Sequence, residues 1–394
     1  MKVLMVISQF YPMIGGVEKQ AQLLAEKFIE KGLEVQIVTG WWKWKTTRKE
    51  IVNGVPVFRN FSFWGAEGKK VHRTIGLIGG LVYTISLSVY IFIHRREFDI
   101  LQVHQALYPA FISVLVGKRL LKKPVLVKTA SSGLTSDIKR LRKYPVGGFQ
   151  LRYLLKNQDG LVANSRAGAE EFKEIGYPES QIAYIPNGIK IPHKGKNAYE
   201  GIEKVLTIAR FSYEKGVDVL LKAWAQVIQE EKRLRLLIVG SGSQESELKS
   251  LSHSLGIDEC VDFVGLVPDA SPYIERADLF VLPSRSEGMS NALLEAMSYG
   301  LPCVATRVGG NRELLGGEHE EILRGDYATG ENGILVNPDD PKGLCGAILY
   351  FVRNQSLRER MGVKGREFVM KNYSIDQVAE RYIALYRSIL EKRS

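Results

Sequence analysis

Cysteine is scarce in this chain, and the three present (Cys260, Cys303 and Cys345) make an odd number. That excludes a disulfide framework, and no Cys/His cluster has zinc-ligand spacing. Reduced thiols in a cytosolic enzyme are the expectation. No export leader is expected either. The apolar run Met1–Ile7 is too short for one and flows straight into a turn, so it reads as a first β-strand. No G-x-G-x-x-G follows that strand, which argues against a dinucleotide fingerprint. Nucleic-acid motifs are absent too, although the net charge is +11. One long uncharged stretch occurs, the eighteen residues Gly76–Ile93 between His72-Arg73 and His94-Arg95-Arg96. By length it is a membrane-span candidate. However, it holds three Gly, two Ser and one Thr, and a spanning helix would separate strands that must pair in one sheet. A buried crossover helix is the expectation.

What is present is ordinary globular composition, 45% apolar and 25% charged over 394 residues, enough for two or three domains. Charge is divided unevenly. Residues 1–195 hold 29 Lys/Arg against 14 Asp/Glu, a balance of +15, and the remainder balances at −4. An anionic membrane surface or a phosphorylated acceptor suits such a first half; without a motif, nucleic acid is not expected. Trp41-Trp42-Lys43-Trp44-Lys45 has two main readings, with nucleic-acid stacking a distant third. Indoles among lysines favour a bilayer headgroup region, or they pack on the domain surface.

Strands and helices alternate along the chain. In the first half the strand Val3–Ile7 leads to the turn Tyr11–Gly16. The helix Val17–Glu30 follows, then a strand Val35–Val38. The glycine pair Gly15-Gly16 at the helix start lets a diphosphate approach backbone amides. His104 closes the strand Ile100–Val103 at its carboxyl end, the ligand side of such sheets. Further strands run Pro124–Lys128, Gly160–Asn164 and Ile182–Ile185, ending in Pro186-Asn187-Gly188. The polar stretch 190–200 reads as a linker. In the second half, Val205–Ala209 precedes Arg210 and Lys215, two cations just before a helix. Cations there stabilise an anionic leaving group with no metal required. Leu236–Val239 runs into Gly240-Ser241-Gly242, and Val261–Val264 into Gly265-Leu266-Val267. Two amphipathic helices, near 341–353 and 374–391, finish the chain.

The richest stretch is Leu279–Asn311. An apolar strand stops at Pro283-Ser284, and a loop carries Glu287. Ser290 is a natural N-cap for the helix Asn291–Tyr299, so the amides of Asn291, Ala292 and Leu293 point outward towards any anion. Gly300 with Pro302 stops that helix, and a strand leads to Gly309-Gly310. Glu295 stands in the middle of the helix, where packing alone asks for no carboxylate.

Glu287 and Glu295 with seven residues between them, then Ala-Met-x-x-Gly-x-Pro and Gly-Gly, resemble the signature of the retaining GT4 glycosyltransferases. The resemblance covers nearly the whole chain. It extends to the Pro-x-x-Gly-Gly loop, to Pro-Asn-Gly-Ile, and to Arg210-x-x-x-x-Lys215-Gly216, with Ala209 where the family often has Gly. It implies the α/β GT-B fold, two Rossmann-like domains facing across a cleft. Residues 1–191 would form the acceptor side and 198–372 the donor side, with the last helix (about 374–394) crossing back. It implies a nucleotide-diphospho-sugar donor, UDP- or GDP-linked, as substrate, with no cofactor and no metal. Glu295 would hold the ribose, Glu287 and His104 the sugar, and Arg210, Lys215, Gly16, Ser290 and Asn291 the diphosphate. Gly15, Asn187, Gly240 and Val267 would line the nucleotide. The domains would close for chemistry. The acceptor would be a glycan or lipid-linked hydroxyl in cell-envelope polysaccharide synthesis. The enzyme would be cytoplasmic, peripheral on the inner membrane face through its basic half. A GT-B nucleotide-sugar epimerase and a non-catalytic sugar-nucleotide-binding subunit are the alternatives; the acidic and basic site residues speak against both.

Overall fold

The computed structural model describes residues 1–393 apart from 14, 44, 63–72, 134–135, 144–145, 317–320 and 324–325. The chain divides into two compact units. The first comprises 1–131, 136–188 and 375–394, the second 132–135 and 189–374.

The first unit is built on β1 (Lys2–Ile7), β2 (Glu34–Gly40), β3 (Lys49–Val52), β4 (Val55–Asn60), β5 (Ile100–His104), β6 (Val125–Lys128), β7 (Gly160–Ala163) and β8 (Ile182–Tyr184). Their spatial order is β3-β4-β2-β1-β5-β6-β7-β8, and every pair is parallel except β3 with β4. Parallel strands are covered on both faces, which is why β1, β6 and β7 read as near-continuous apolar runs. One face is packed by the helices Gly16–Glu30 and Ile375–Glu391, where Phe28 meets the rings of Tyr382 and Tyr386. The antiparallel hairpin β3–β4 turns at Asn53-Gly54, both at positive φ. That dipeptide is a strong hairpin signal, and the sequence reading passed over it.

The helix over the uncharged stretch runs Arg73–Ile93. It is a crossover helix between β4 and β5, as read, but it is not buried. Tyr83, Leu87 and Ile91 are fully covered, whereas Ile78, Leu81, Ile85, Val89 and Phe92 face solvent. Of the tryptophan cluster, Trp42 packs 5.2 Å from the Tyr83 ring and donates to the Ser8 carbonyl, and Trp41 donates to the Thr46 carbonyl. The packed reading therefore holds for these two; Trp44 lies outside the described residues.

The second unit's sheet has β9 (Lys204–Ile208), β10 (Arg235–Val239), β11 (Val261–Gly265), β12 (Leu279–Leu282), β13 (Cys303–Thr306), β14 (Glu321–Leu323), β15 (Tyr327–Thr329) and β16 (Ile334–Val336). The order is β11-β10-β9-β12-β13-β16-β15-β14, antiparallel only at the β14–β15–β16 end. The helix Val217–Glu230 repeats apolar residues at 217, 220, 221, 224 and 227, and drives Trp224 fully into the core. A third C-terminal helix, Gln355–Asn372, stands between the two expected ones. Its buried face interrupts the sparse apolar row Leu357, Met361 and Val369 with Arg358, Gly362 and Gly365, the glycines lying close to neighbouring backbone, so the stripe is too thin to announce the helix.

Arg358 on that helix is 4% exposed and donates to the carbonyls of Tyr199, Glu200, Phe351 and Val352. Replacing it by Met leaves these carbonyls unpaired. Arg358→Met should lower the stability of the second unit by about 2–4 kcal/mol, read from its urea unfolding; a loss under about 0.5 kcal/mol would contradict this accounting.

Candidate active site

In the second sheet the strand order reverses between β9 and β12, since β10 and β11 extend to one side and β13 and β16 to the other. Open α/β sheets bind ligands outside the carboxyl ends of strands at such a reversal. Arg210 and the turn Tyr213–Lys215 follow β9, and the loop bearing Glu287 follows β12.

Arg285 ties these two loops together. Its Nη1 donates to the Tyr213 carbonyl (2.7 Å) and to Asp218 Oδ1 (2.8 Å), its Nη2 to Asp218 Oδ2 (2.7 Å) and its Nε to Asp339 Oδ1 (2.6 Å). The guanidinium also lies 4.2 Å from the Tyr213 ring centre. Two glycines permit the close approach. At Gly216 (φ +64) a Cβ would lie 2.1 Å from the Pro283 carbonyl, and at Gly309 (φ +49) one would lie 2.0 Å from the Glu287 carbonyl.

Lys215 Nζ thereby sits 2.7 Å from Glu287 Oε1, which also accepts from Ser284 Oγ at 2.7 Å. Glu287 is only 7% exposed. Its second oxygen has no hydrogen-bond partner among the described residues. Arg210 differs: its side chain is 69% exposed and pairs with Glu214 at 2.6 Å. Burial alone would raise the Glu214 carboxyl, but a backbone amide, Ser212 and Arg210 hold it below its ordinary value.

The helix after Glu287 spans Asn291–Ser298. Ser290 Oγ caps it by accepting from the Leu293 amide at 3.3 Å. Leu293 therefore does not belong among the outward amides, which corrects the sequence reading. The helix ends as read: Gly300 (φ +81) donates to Met297 O, and Leu301 to Ala296 O. Glu295 is half-buried on this helix. Gly240 packs on the Ala209 carbonyl and donates to Gly265 O at 2.9 Å, with Val267 two residues beyond. Arg210, Gly240, Val267 and Glu287 thus follow the carboxyl ends of four adjacent strands, β9 to β12.

The first sheet reverses between β1 and β5. His104 ends β5 beside Ile7, and the next residue, Gln105, has φ +75, a strained value for a side chain of its size. His104 is 1% exposed, with Gln102 Nε2 at 3.0 Å from its Nε2 and, among the described residues, no partner for Nδ1. Burial, and then the charge of Lys128, holds the imidazole well below its ordinary pKa. Gly15 caps the helix Gly16–Glu30 without a side chain, and Gln20 on that helix holds both the amide and the carbonyl of Gly188. Its neighbour Asn187 accepts from Lys128 Nζ at 3.0 Å. Gly15, Gly16, His104 and Asn187 therefore stand around the carboxyl ends of one sheet. Asp137, fully buried, holds two loops there by accepting from the Ala106 and Ala130 amides and Ser131 Oγ.

Lys128, Gln20, Glu214, Ser284 and Arg285 were missed in the sequence. Lys128 was legible: it closes an apolar strand at its carboxyl end, the rule that picked out His104. Gln20 and Arg285 are revealed only by contacts between distant segments, and Glu214 and Ser284 by their pairing with Arg210 and Glu287. Among the described residues, no three His, Cys, Asp or Glu side chains gather as metal ligands.

Residues 14–191 match the family model described as Glycosyltransferase Family 4, and residues 202–354 the model Glycosyl transferases group 1. The N-acetyl-alpha-D-glucosaminyl L-malate synthase of Bacillus anthracis is 24% identical over 96% of each chain. The lipopolysaccharide core biosynthesis glycosyltransferase LpsE of Rhizobium meliloti is 28% identical over 64% of this chain and 69% of its own. Among solved structures, Anabaena HepE in complex with UDP-glucose superposes with a TM-score of 0.77 at 18% identity, covering 98% of this chain and 99% of that one. Sucrose-phosphate synthase from Thermosynechococcus elongatus gives 0.76 at 21% identity over 100% of both.

Lys128 is buried with no ion pair among the described residues, and desolvation lowers its pKa to about 8. The unfolded value is higher, so between the two the unfolded chain keeps a proton that the folded chain has released. Stability attributable to this group therefore rises as the pH climbs from about 8 to 10.5. Lys128→Met should abolish that rise and be more stable than wild type at pH 7, by roughly 3 kcal/mol at most. A stability difference between the two proteins that stays flat from pH 7 to 10.5 would contradict the assignment.

Proposed function

This chain belongs to glycosyltransferase family 4 and has the GT-B fold, and from that premise we propose that it transfers a sugar from a nucleotide diphosphate to an acceptor hydroxyl with retained anomeric configuration. The observation that carries the reading is the cluster at the reversal point of the second sheet. There a solvent-facing Arg210, the Lys215–Glu287 pair and a Ser-capped helix start stand over the ends of β9 and β12.

The donor's bond from the anomeric carbon to the phosphate oxygen breaks, and the diphosphate leaves with the electron pair. Arg210, Lys215 and the helix-start amides stabilise the charge that gathers there. Arg210 exchanges Glu214 for a phosphate oxygen. The acceptor oxygen attacks from the same face, and its proton passes to the departing phosphate. Double displacement would need a free carboxylate at the anomeric carbon. Glu287, the buried carboxylate of the cluster, already has one oxygen taken by Lys215 and Ser284, which favours the front-face route. Its other oxygen holds sugar hydroxyls, and Glu295 holds the ribose. In the first unit, the unpartnered buried atoms His104 Nδ1, Thr129 Oγ1 and Asn164 Oδ1 provide hydrogen bonds for sugar or acceptor hydroxyls.

UDP is the favoured base carrier, supported by the HepE likeness. LpsE, named for lipopolysaccharide core biosynthesis, supports a glycan or lipid-linked acceptor in envelope polysaccharide synthesis. No metal or other cofactor takes part, and the basic first half makes peripheral contact with an anionic membrane.

Release of nucleoside diphosphate from a panel of labelled UDP- and GDP-sugars tests the reaction, with the product's anomeric configuration read by NMR. Arg210→Ala is the clean electrostatic probe, because Lys215→Ala would also strip Glu287 of its cation. It should lower kcat/KM by about 10²–10³-fold, and Glu295→Ala should weaken nucleotide binding by roughly 10–100-fold. Wild-type rates in Arg210→Ala, or wild-type nucleotide affinity in Glu295→Ala, would refute the assigned roles.

A further inference from the structure

The outward face of the helix Arg73–Ile93 takes no part in the chemistry above, and it is unusual. A surface helix places apolar residues on its inner stripe and charged ones opposite. Here Tyr83, Leu87 and Ile91 fill the inner stripe at 0% exposure, packed with Phe98 and Val103 in the core of the first unit. The opposite stripe is just as apolar. Ile78, Leu81, Ile85, Val89 and Phe92 follow one another at helical spacing, each between 46% and 60% exposed. No charged residue interrupts the helix from Gly76 to its end. An exposed apolar row of this length marks a surface that meets something.

Cations rim the row. Arg95 and Arg96 are exposed just beyond the helix, and the Arg95 guanidinium lies 4.9 Å from the Phe92 ring centre. The π-helical segment Ser113–Leu120 packs beside the helix and exposes Leu115 and Leu120, with Arg119 and Lys122 exposed next to Leu120.

We propose that this face docks the enzyme on an anionic lipid bilayer, the helix lying flat at headgroup depth. An apolar stripe bordered by Arg and Lys is the composition of interfacial helices. The helix does not span the bilayer, because its inner stripe is committed to the protein core, and no helix among the described residues is long and apolar enough to cross a membrane. Charge selects the partner. Residues 1–195 hold 29 cations against 14 anions, so a second copy of this chain would bring like charge to like, whereas anionic headgroups neutralise it. Trp41 and Trp42 are bonded within the protein, so the proposed docking face is the helix. The inference deepens the peripheral-membrane part of the reading above, and it names the surface responsible.

The test uses the full chain without donor or acceptor, so its outcome is independent of whether glycosyl transfer occurs. Flotation is measured with phosphatidylcholine vesicles, alone and with about one third phosphatidylglycerol. The wild type should float with the anionic vesicles only, and less so at high salt. The double variant Leu81→Glu with Ile85→Glu should lose binding by more than about tenfold, with an unchanged melting temperature since both positions are exposed. Arg95→Ala and Arg96→Ala should each cost about fivefold. If the Glu variant melts early, Leu81→Ser with Ile85→Ser replaces it. Failure of the wild type to float, or undiminished flotation of the apolar-stripe variants, would overturn the proposal. So would lipid-free dimerisation that those variants abolish, which would assign the face to a second copy.

Discussion

A carboxylate taken out of water needs a cation, and the site is arranged around one such need. Glu287 is almost wholly buried, and Lys215 stands 2.7 Å away on a loop 72 residues earlier in the chain. Removing one member of a buried pair leaves the other uncompensated at a cost of about 3–5 kcal/mol, so the pair fixes where the two loops can sit. Everything else at the reversal point keeps them there. Arg285 binds Tyr213, Asp218 and Asp339, and glycines at 216 and 309 allow backbones to touch. The cations proposed to meet a leaving diphosphate are thereby positioned before any substrate arrives, which is what electrostatic catalysis requires.

The strand ends that flank the two reversals handle buried polarity differently. In the second, charges are matched: Lys215 with Glu287, Arg285 with Asp218. In the first, among the described residues, Lys128 is buried with an amide oxygen as its partner and no ion pair, and His104 keeps a nitrogen unpartnered. Buried groups left in that condition cost stability. They persist at the carboxyl ends of β5 and β6, where a doubly wound sheet presents side chains to ligands. The strained backbone of Gln105 adds a further sign that this edge serves something other than packing.

Much of the fold was legible because its signals are local. Near-continuous apolar runs marked the parallel strands, Ser290 and Gly300 bracketed the central helix, and Asn53-Gly54 announced a hairpin that went unread. The helix Gln355–Asn372 was hidden because it buries glycines and a hydrogen-bonded Arg358 where an apolar stripe would have been the cue. The crossover helix misled in the opposite direction. Its composition signalled burial, yet a sheet covers only one side of a helix. No periodicity separates an inner apolar face from an outer one when both are equally hydrophobic.

The sequence alone determined the alternating α/β order, the family, and the residue types at strand ends to which the chemistry is assigned in the proposal, since each depends on spacing along a few dozen residues. Only the tertiary structure decided which of those groups are neutralised and by whom. It paired Lys215 with Glu287 and Arg210 with Glu214, buried Lys128 beside Asn187, and left one face of Arg73–Ile93 in solvent. Partnership and burial at those positions are set by segments far apart in the chain, and three-dimensional packing alone brings them within hydrogen-bond range.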